Sequence, residues 1–300
     1  MPELPDLEIY IESLRSKVMG RILLAVRLKT PFLLRTVDPP LSDAQGKKVC
    51  GITRIGKHVV LEMEKHIYLV IHLMVAGRFL WREKNAQIPK KIGLAAFDFE
   101  NGTLTLTEAA TKRRVSLHAV RGEERLRMFD RGGIELLDSD LESFSEALRL
   151  ENHTLKRAFT DPRLISGIGN AYSDEILHRA RISPLKLTSR LTDDEIELLY
   201  RASRELIIEW IQRLRKQSRS GAGNGFPEKV TAFQEGMAVH GRFGKPCPEC
   251  GTPIQRIVYA ENECNYCPRC QTGGKLLADR ALSRLLKADW PKSLNLDSPT

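Results

Sequence analysis

"LISGIGNAYSDEILHRARISP", residues 164–184, is the stretch on which the fold turns. Gly167-Ile168-Gly169-Asn170 stands directly ahead of a run that reads as a helix. Glycine lets a backbone approach another group closely, and the first N–H groups of a helix have no intrahelical partners. The turn therefore reads in two ways. It is a helical hairpin using glycine for backbone freedom alone, or it is a cradle for an anion at a helix N-terminus. Asn170 suits both, as a cap or as an amide reaching a phosphate. Lys156 and the basic balance of the chain lean towards phosphate.

That balance is 47 Lys and Arg against 38 Asp and Glu over 300 residues, a net charge of +9. Such a surplus favours a polyanionic partner, most simply nucleic acid. A hydrophobic content of 42% and a charged content of 28% are those of a soluble globular protein. No run approaches the roughly 18 apolar residues of a membrane span. Glu3, Asp6, Glu8 and Glu12 stand where a secretory signal would carry basic residues and an apolar run. Cys50 stands alone, and the other five cysteines lie between 247 and 270, a pattern of metal ligands in a reducing compartment. The expected location is the cytoplasm, with the nucleoid as the site of action in a bacterial cell.

Outward from the glycine turn, the chain divides by periodicity. Leu7, Ile11, Leu14 and Val18 predict a first helix, with Gly20 at its C-terminal cap. Pro2 and Pro5 flank its start, a common use of proline. "HVVLEM", "IYLVIHLM", "LAAFDF" and "TLTLT" predict strands, and Asn101-Gly102 predicts a type I′ hairpin between the last two. Helical patterns follow. Thr192 and Glu195 form a capping box ahead of a long amphipathic helix. On its polar face, Arg201, Arg204, Arg213, Arg215 and Lys216 read as solvated charge. The expected domains are a β-rich unit at 1–132, a helical unit at 133–235, a cysteine module at 236–271 and a tail at 272–300 with a candidate helix.

Cys247-Pro-Glu-Cys250 and Cys267-Pro-Arg-Cys270 are two CxxC pairs with residues 251–266 between them. Four thiolates close a tetrahedral shell, the arrangement of structural rather than catalytic zinc. One ion is expected. Cys264 offers a competing pair with Cys267, but the shared Cys-Pro-x-Cys turn favours the outer four. The intervening residues read as a β-hairpin.

Taken in order, "PELP", "IGKHVVLEM", "SGIGNAYSDEILHRARISP", "MAVHGRFGKPCPECG" and "CPRCQ" resemble the formamidopyrimidine-DNA glycosylase/endonuclease VIII family of base-excision repair enzymes. The resemblance runs from residue 2 to about 271, and Leu4 favours the oxidised-purine branch. It implies an α+β fold: an N-terminal β-sandwich flanked by helices, then a helix–two-turns–helix domain with a β-hairpin zinc finger. It further implies a monomer acting on double-stranded DNA with damaged bases or abasic sites, DNA lying between the two domains, and no membrane partner.

The same resemblance turns Pro2 into a nucleophile. Its secondary amine, exposed by removal of Met1, attacks C1′ of an everted nucleotide, expels the base and leaves an iminium, after which β- or β,δ-elimination cuts the strand. An α-amino group titrates near pH ~8, so free base exists at neutrality. Glu3 becomes a proton shuttle and Lys57 the catalytic hairpin lysine. Lys91, Arg113, Arg114, Lys156 and Asn170 become DNA contacts. A damaged-DNA-binding member that has lost efficient excision is the alternative.

Two departures stand out. The family's finger carries Arg-x-Thr-x-x-Cys-Pro, whereas this chain has Asn262 at the arginine position and Cys264 at the threonine position. A bidentate guanidinium clamp on phosphate is thereby missing. The residues that fill the gap left by a flipped purine are commonly Met, Arg and Phe; here they are Val75, Arg113 and Val115.

Overall fold

A computed structural model describes residues 1–220, 226–227, 230, 234–259 and 262–277. The chain divides into two compact units, Met1–Arg131 with Ile208–Ala232, and Gly132–Ile207 with Phe233–Thr300. No described helix is long and apolar enough to cross a membrane.

The first unit opens with α1 (Leu4–Val18), whose apolar positions bury Leu7, Ile11, Leu14 and Val18. Gly20 follows with φ +73°, the left-handed value glycine tolerates best. Eight strands follow: β1 (Leu23–Leu28), β2 (Val49–Ile55), β3 (His58–Met63), β4 (Ile67–His72), β5 (Gly77–Arg82), β6 (Gly93–Phe99), β7 (Gly102–Glu108) and β8 (Ser116–Arg121). They form two antiparallel sheets, in the orders β1-β6-β7-β5 and β2-β3-β4-β8. Val59, Leu61 and Ile71 from one sheet, Phe97 and Leu104 from the other, and Leu7 and Leu14 of α1 share a single core. A short helix, α2 (Glu123–Arg127), follows β8.

The hairpin joining β6 and β7 is present, but its turn lies one residue earlier than expected. Phe99 pairs with Gly102, so Glu100 and Asn101 form the turn, and none of residues 100–102 takes a positive φ. Gly102 is needed for another reason: a Cβ there would meet the Trp81 ring at 2.4 Å.

The second unit contains α3 (Leu141–Arg149), α4 (Leu155–Thr160) and α5 (Asn170–Arg179). The long α6 (Asp193–Ser220) starts in this unit, and its residues from Ile208 onwards belong to the first. Its capping box forms as expected: Thr192 N–H donates to Glu195 Oε2 at 3.1 Å, and Glu195 N–H to Thr192 Oγ1 at 3.3 Å. The polar face of α6 is less solvated than its composition suggests. Arg204 donates to the carbonyls of Leu136, Leu137 and Ser139, and Arg215 forms a two-bond pair with Glu12. The finger consists of β9 (Gln255–Tyr259), β10 (Asn262–Tyr266) and the one-turn α7 (Pro268–Thr272). The candidate helix in the tail falls mostly on residues 278–300, outside the described residues, as does the Asn262 side chain.

Candidate active site and nucleic-acid interface

In the first unit, α1 and the β2–β3 hairpin converge on the N-terminus. Pro2 is buried, and Glu3 caps α1 reciprocally: its carboxylate takes the Asp6 N–H while its own N–H donates to Asp6 Oδ2 at 2.9 Å. Lys57 occupies a two-residue turn with Gly56, whose φ of +57° suits the first position of a tight hairpin. Arg54 holds this turn, donating to Gly56 O at 2.8 Å and reaching Glu8 of α1 at 3.4 Å. The N-terminal amine of Met1 is pushed below its ordinary value chiefly by burial. Glu3 and Asp6 oppose that shift, and the charges of Arg78 and Lys57 reinforce it.

His72 joins this group and was not picked out from the sequence. Burial, then His58 and Lys57, depress it to about 3, so its ring is neutral, and its Nδ1 accepts the Met74 N–H at 3.0 Å. The only sequence signal was a histidine ending an otherwise apolar strand.

Lys91, Arg113 and Arg114 form a second exposed group in this unit. Arg113 Nη2 donates to Lys91 O at 2.6 Å. The buried Glu108 carboxylate accepts the N–H groups of Arg114 (2.9 and 3.0 Å) and Val115 (3.2 Å), fixing the path of the "RRV" loop. Val115 is a core residue, packed within the first unit, whereas Val75 is 64% exposed.

In the second unit, Gly167 takes φ +79° and Gly169 is the N-cap of α5. Asn170 is therefore the first helical residue rather than the cap. Lys156, expected on a phosphate, faces inward. Its Nζ donates to Asn170 O (2.7 Å), Ser173 Oγ (2.8 Å) and Asp174 Oδ1 (2.6 Å), using all three hydrogens inside the fold. Asp174 also accepts from His240 Nδ1 at 2.9 Å, Asn265 N–H at 3.1 Å and Asn265 Nδ2 at 3.2 Å. Burial alone would favour its neutral form, but Lys156 and His240 outweigh it and hold the carboxyl below its ordinary value. Glu175, next to it on α5, accepts the successive N–H groups of Ala238, Val239 and His240 at 2.7–2.9 Å. Two adjacent acids thus bind the finger and the segment before it to the helix behind the glycine turn. Neither stood out in the sequence, where each was one charge in a helical run.

Cys247, Cys250, Cys267 and Cys270 bring their sulfurs within 4.8 Å of one another, with 3.9 Å between Cys247 and Cys270 and 3.4 Å between Cys250 and Cys267. A Zn–S bond of about 2.3 Å places sulfurs about 3.8 Å apart around a tetrahedron. The four thiols therefore fit one structural zinc ion. His178 Nε2, 3.3 Å from Cys247 Sγ, is placed to support that ligand. Cys264 lies outside the cluster, buried against Ile257 and Tyr266, and burial with Asp174 pushes its thiol up. Cys50 is exposed on β2. Glu151, His153 and Asp161 also lie together, but Arg163 forms ion pairs with both carboxylates, at 3.1 and 2.7 Å.

Three family models match in succession: the formamidopyrimidine-DNA glycosylase N-terminal domain at residues 1–117, its H2TH domain at 134–220, and the zinc finger found in FPG and IleRS at 244–273. The chain belongs to the formamidopyrimidine-DNA glycosylase family. Its members are DNA glycosylases of base-excision repair. The formamidopyrimidine-DNA glycosylase of Thermus thermophilus is 34% identical over 279 residues, covering 91% of this chain and 100% of the relative. The enzyme of Pelotomaculum thermopropionicum is 32% identical, covering 90% and 99%. Among solved structures, the Thermus thermophilus protein superposes with a TM-score of 0.75 at 33% identity, covering 90% of this chain and 98% of that one. The Lactococcus lactis protein bound to abasic-site DNA gives 0.78 at 26% identity, covering 90% and 99%.

Proposed function

We propose that this family member is a bifunctional glycosylase and abasic-site lyase that uses the amine of Pro2. Once Met1 is removed, the Pro2 nitrogen bonds to C1′ of an everted nucleotide as the N-glycosidic bond breaks, and the base leaves as a protonated species. Glu3 carries a proton to the ring oxygen as the sugar opens to the iminium. Loss of a C2′ proton then expels the 3′ phosphate by β-elimination. The observation that carries this reading is the burial of Pro2 beside the buried Glu3 at the start of α1, in the unit that also carries the Lys57 hairpin turn. The family and its DNA-bound neighbours supply the substrate class, damaged or abasic duplex DNA, with oxidised purines the favoured bases.

Within this proposal Lys91, Arg113 and Arg114 meet the phosphate backbone, and Asn170 meets it from the start of α5. Lys156 becomes a positioning residue, because its ammonium is fully engaged behind that helix start.

Borohydride trapping on duplexes carrying an abasic site or 8-oxoguanine tests the reading. Met-free protein is expected to give a covalent adduct that Pro2→Gly weakens or abolishes. Tight binding of damaged DNA with no adduct would identify a damage-binding protein instead. Asn262 at the usual finger-arginine position and the core placement of Val115 favour that second reading.

A further inference from the structure

The outer face of the β2-β3-β4-β8 sheet has a feature that the amine chemistry does not use. At one end Val60, Tyr68, Val70 and Val120 form a small cluster roofed by Leu126 and Phe129. At the other end the alternation continues into histidine. His58 pairs directly with His72 across β3 and β4, and His118 pairs with Val70 across β4 and β8. Three of the chain's seven histidines thus share one face of three adjacent strands.

Beside them opens a pocket of about 450 Å³ lined by Thr36, His58, His118, Arg125, Phe129 and Arg131, among others, all in the first unit. That volume falls within the range of small-molecule sites. Core histidines would have their ring nitrogens satisfied, and two of the three largely are: His58 Nδ1 lies 3.2 Å from Ile55 O, and His72 takes the Met74 N–H. Among the described residues, neither the His118 ring nor the Arg131 guanidinium has a hydrogen-bond or ion-pair partner. Arg125 is bound to Asp38 at 3.0 Å, which neutralises the pocket's carboxylate. Thr36 Oγ1 accepts the Ala119 N–H at 2.8 Å, leaving its hydroxyl hydrogen to donate.

The lining therefore offers donors and positive charge on one side and an aromatic wall on the other. The Phe129 ring stands edge-on to His58 and His118 at 5.4 and 5.0 Å. A cation would meet two arginines, and the three imidazoles do not converge on a common ligand position. An anion carrying a planar ring satisfies both walls: guanidinium suits a phosphate in two-pronged fashion, and a base packs on an aromatic side chain. We propose that this pocket binds a nucleoside monophosphate unit, its phosphate on Arg131, Arg125 and His118 and its base against Phe129. Burial lowers the proton affinity of both rings, with the charge of Arg35 adding to it at His118 and that of Arg131 at His58. The proposal does not depend on the Pro2 reading.

The unit has two sources, a free nucleotide and the phosphorylated end of a DNA strand. Calorimetric titration of the full-length, zinc-loaded protein with dGMP, deoxyguanosine, inorganic phosphate, and matched 5′-phosphorylated and 5′-hydroxyl pentadeoxynucleotides separates them. Saturable binding of dGMP is expected, with Kd raised roughly tenfold or more by Arg131→Gln and for deoxyguanosine, as loss of a charge-assisted contact implies. Phe129→Leu is expected to weaken dGMP more than inorganic phosphate. Preference for the 5′-phosphorylated strand over dGMP marks a strand end as the ligand; the reverse marks a free nucleotide. Absence of saturation by either at millimolar concentration overturns the proposal. So does saturation that Arg131→Gln and Phe129→Leu leave unchanged in protein whose melting temperature is unaltered.

Discussion

Lys156 and Asp174 form an ion pair with 2.6 Å between Nζ and Oδ1, and the Asp174 side chain has no exposed surface. Asp174 in turn holds His240 of the pre-finger segment and Asn265 of β10. The pair therefore joins the helix behind the glycine turn to the zinc finger within the second unit.

Removing one partner strands the other charge in a low-dielectric interior. Lys156→Met is expected to destabilise the protein by about 3–5 kcal/mol, measured by urea unfolding. The salt dependence separates this role from a phosphate contact. Loss of a phosphate contact lowers the slope of log K against log salt by about one, whereas Lys156→Met should leave the slope unchanged.

The Met1 amine is held below its ordinary value of 8.0 chiefly by burial, with Arg78 and Lys57 adding to the effect, and the buried Pro2 nitrogen that removal of Met1 exposes is one residue away. The free base is the nucleophile, so adduct yield rises with pH as the amine loses its proton. Burial and the same two cations are expected to favour the free base of the exposed Pro2 amine as well, placing the midpoint of that rise below the roughly 8 of a solvated α-amino group. Lys57→Gln removes a positive charge and should move the midpoint upward. Trapping yields at a series of pH values check both.

Acid stability should fall through the histidine face. His72 is held near 3 by burial, against an ordinary value of 6.5, so between those values the unfolded chain binds a proton that the folded one does not. Stability from this group is complete above pH 6.5 and is lost progressively as pH falls towards 3. His58 and His118 shift in the same direction, also chiefly by burial. Unfolding free energy measured in urea should decline on acidification, and His72→Gln should make the decline shallower.

Zinc analysis should find one metal per chain, lost with Cys250→Ser and retained with Cys264→Ser. Structural zinc contributes folding free energy directly, so chelation should unfold the finger and weaken DNA binding. Retention of metal by Cys270→Ser together with its loss from Cys264→Ser would mean that Cys264 and Cys267 form the second ligand pair.

The sequence was most legible where one physical rule acts alone. Periodicity marked α1 and the strands of the sandwich, Thr192 and Glu195 marked the start of α6, and spacing marked the four zinc ligands. It was least legible where tertiary packing decides. Gly102 looked like a turn glycine but makes room for Trp81. Arg204 looked solvated but satisfies three carbonyls, and Lys156 looked like a phosphate ligand but neutralises a buried acid. The histidine face and the paired acids Asp174 and Glu175 gave no one-dimensional signal, because their meaning arises only when separate segments meet. The roles of Pro2, Glu3 and Lys57 came from resemblance, since a proline ahead of a helix has an ordinary structural use.

The distribution of thiols has a practical consequence. Four belong to the metal and Cys264 is sealed in the finger, while Cys50 is exposed on β2. Under native, zinc-replete conditions a maleimide dye should therefore attach at one known position without any engineered cysteine. The natural chain comes ready for single-molecule fluorescence, so its arrival on and departure from individual DNA molecules can be watched with every catalytic candidate left in place.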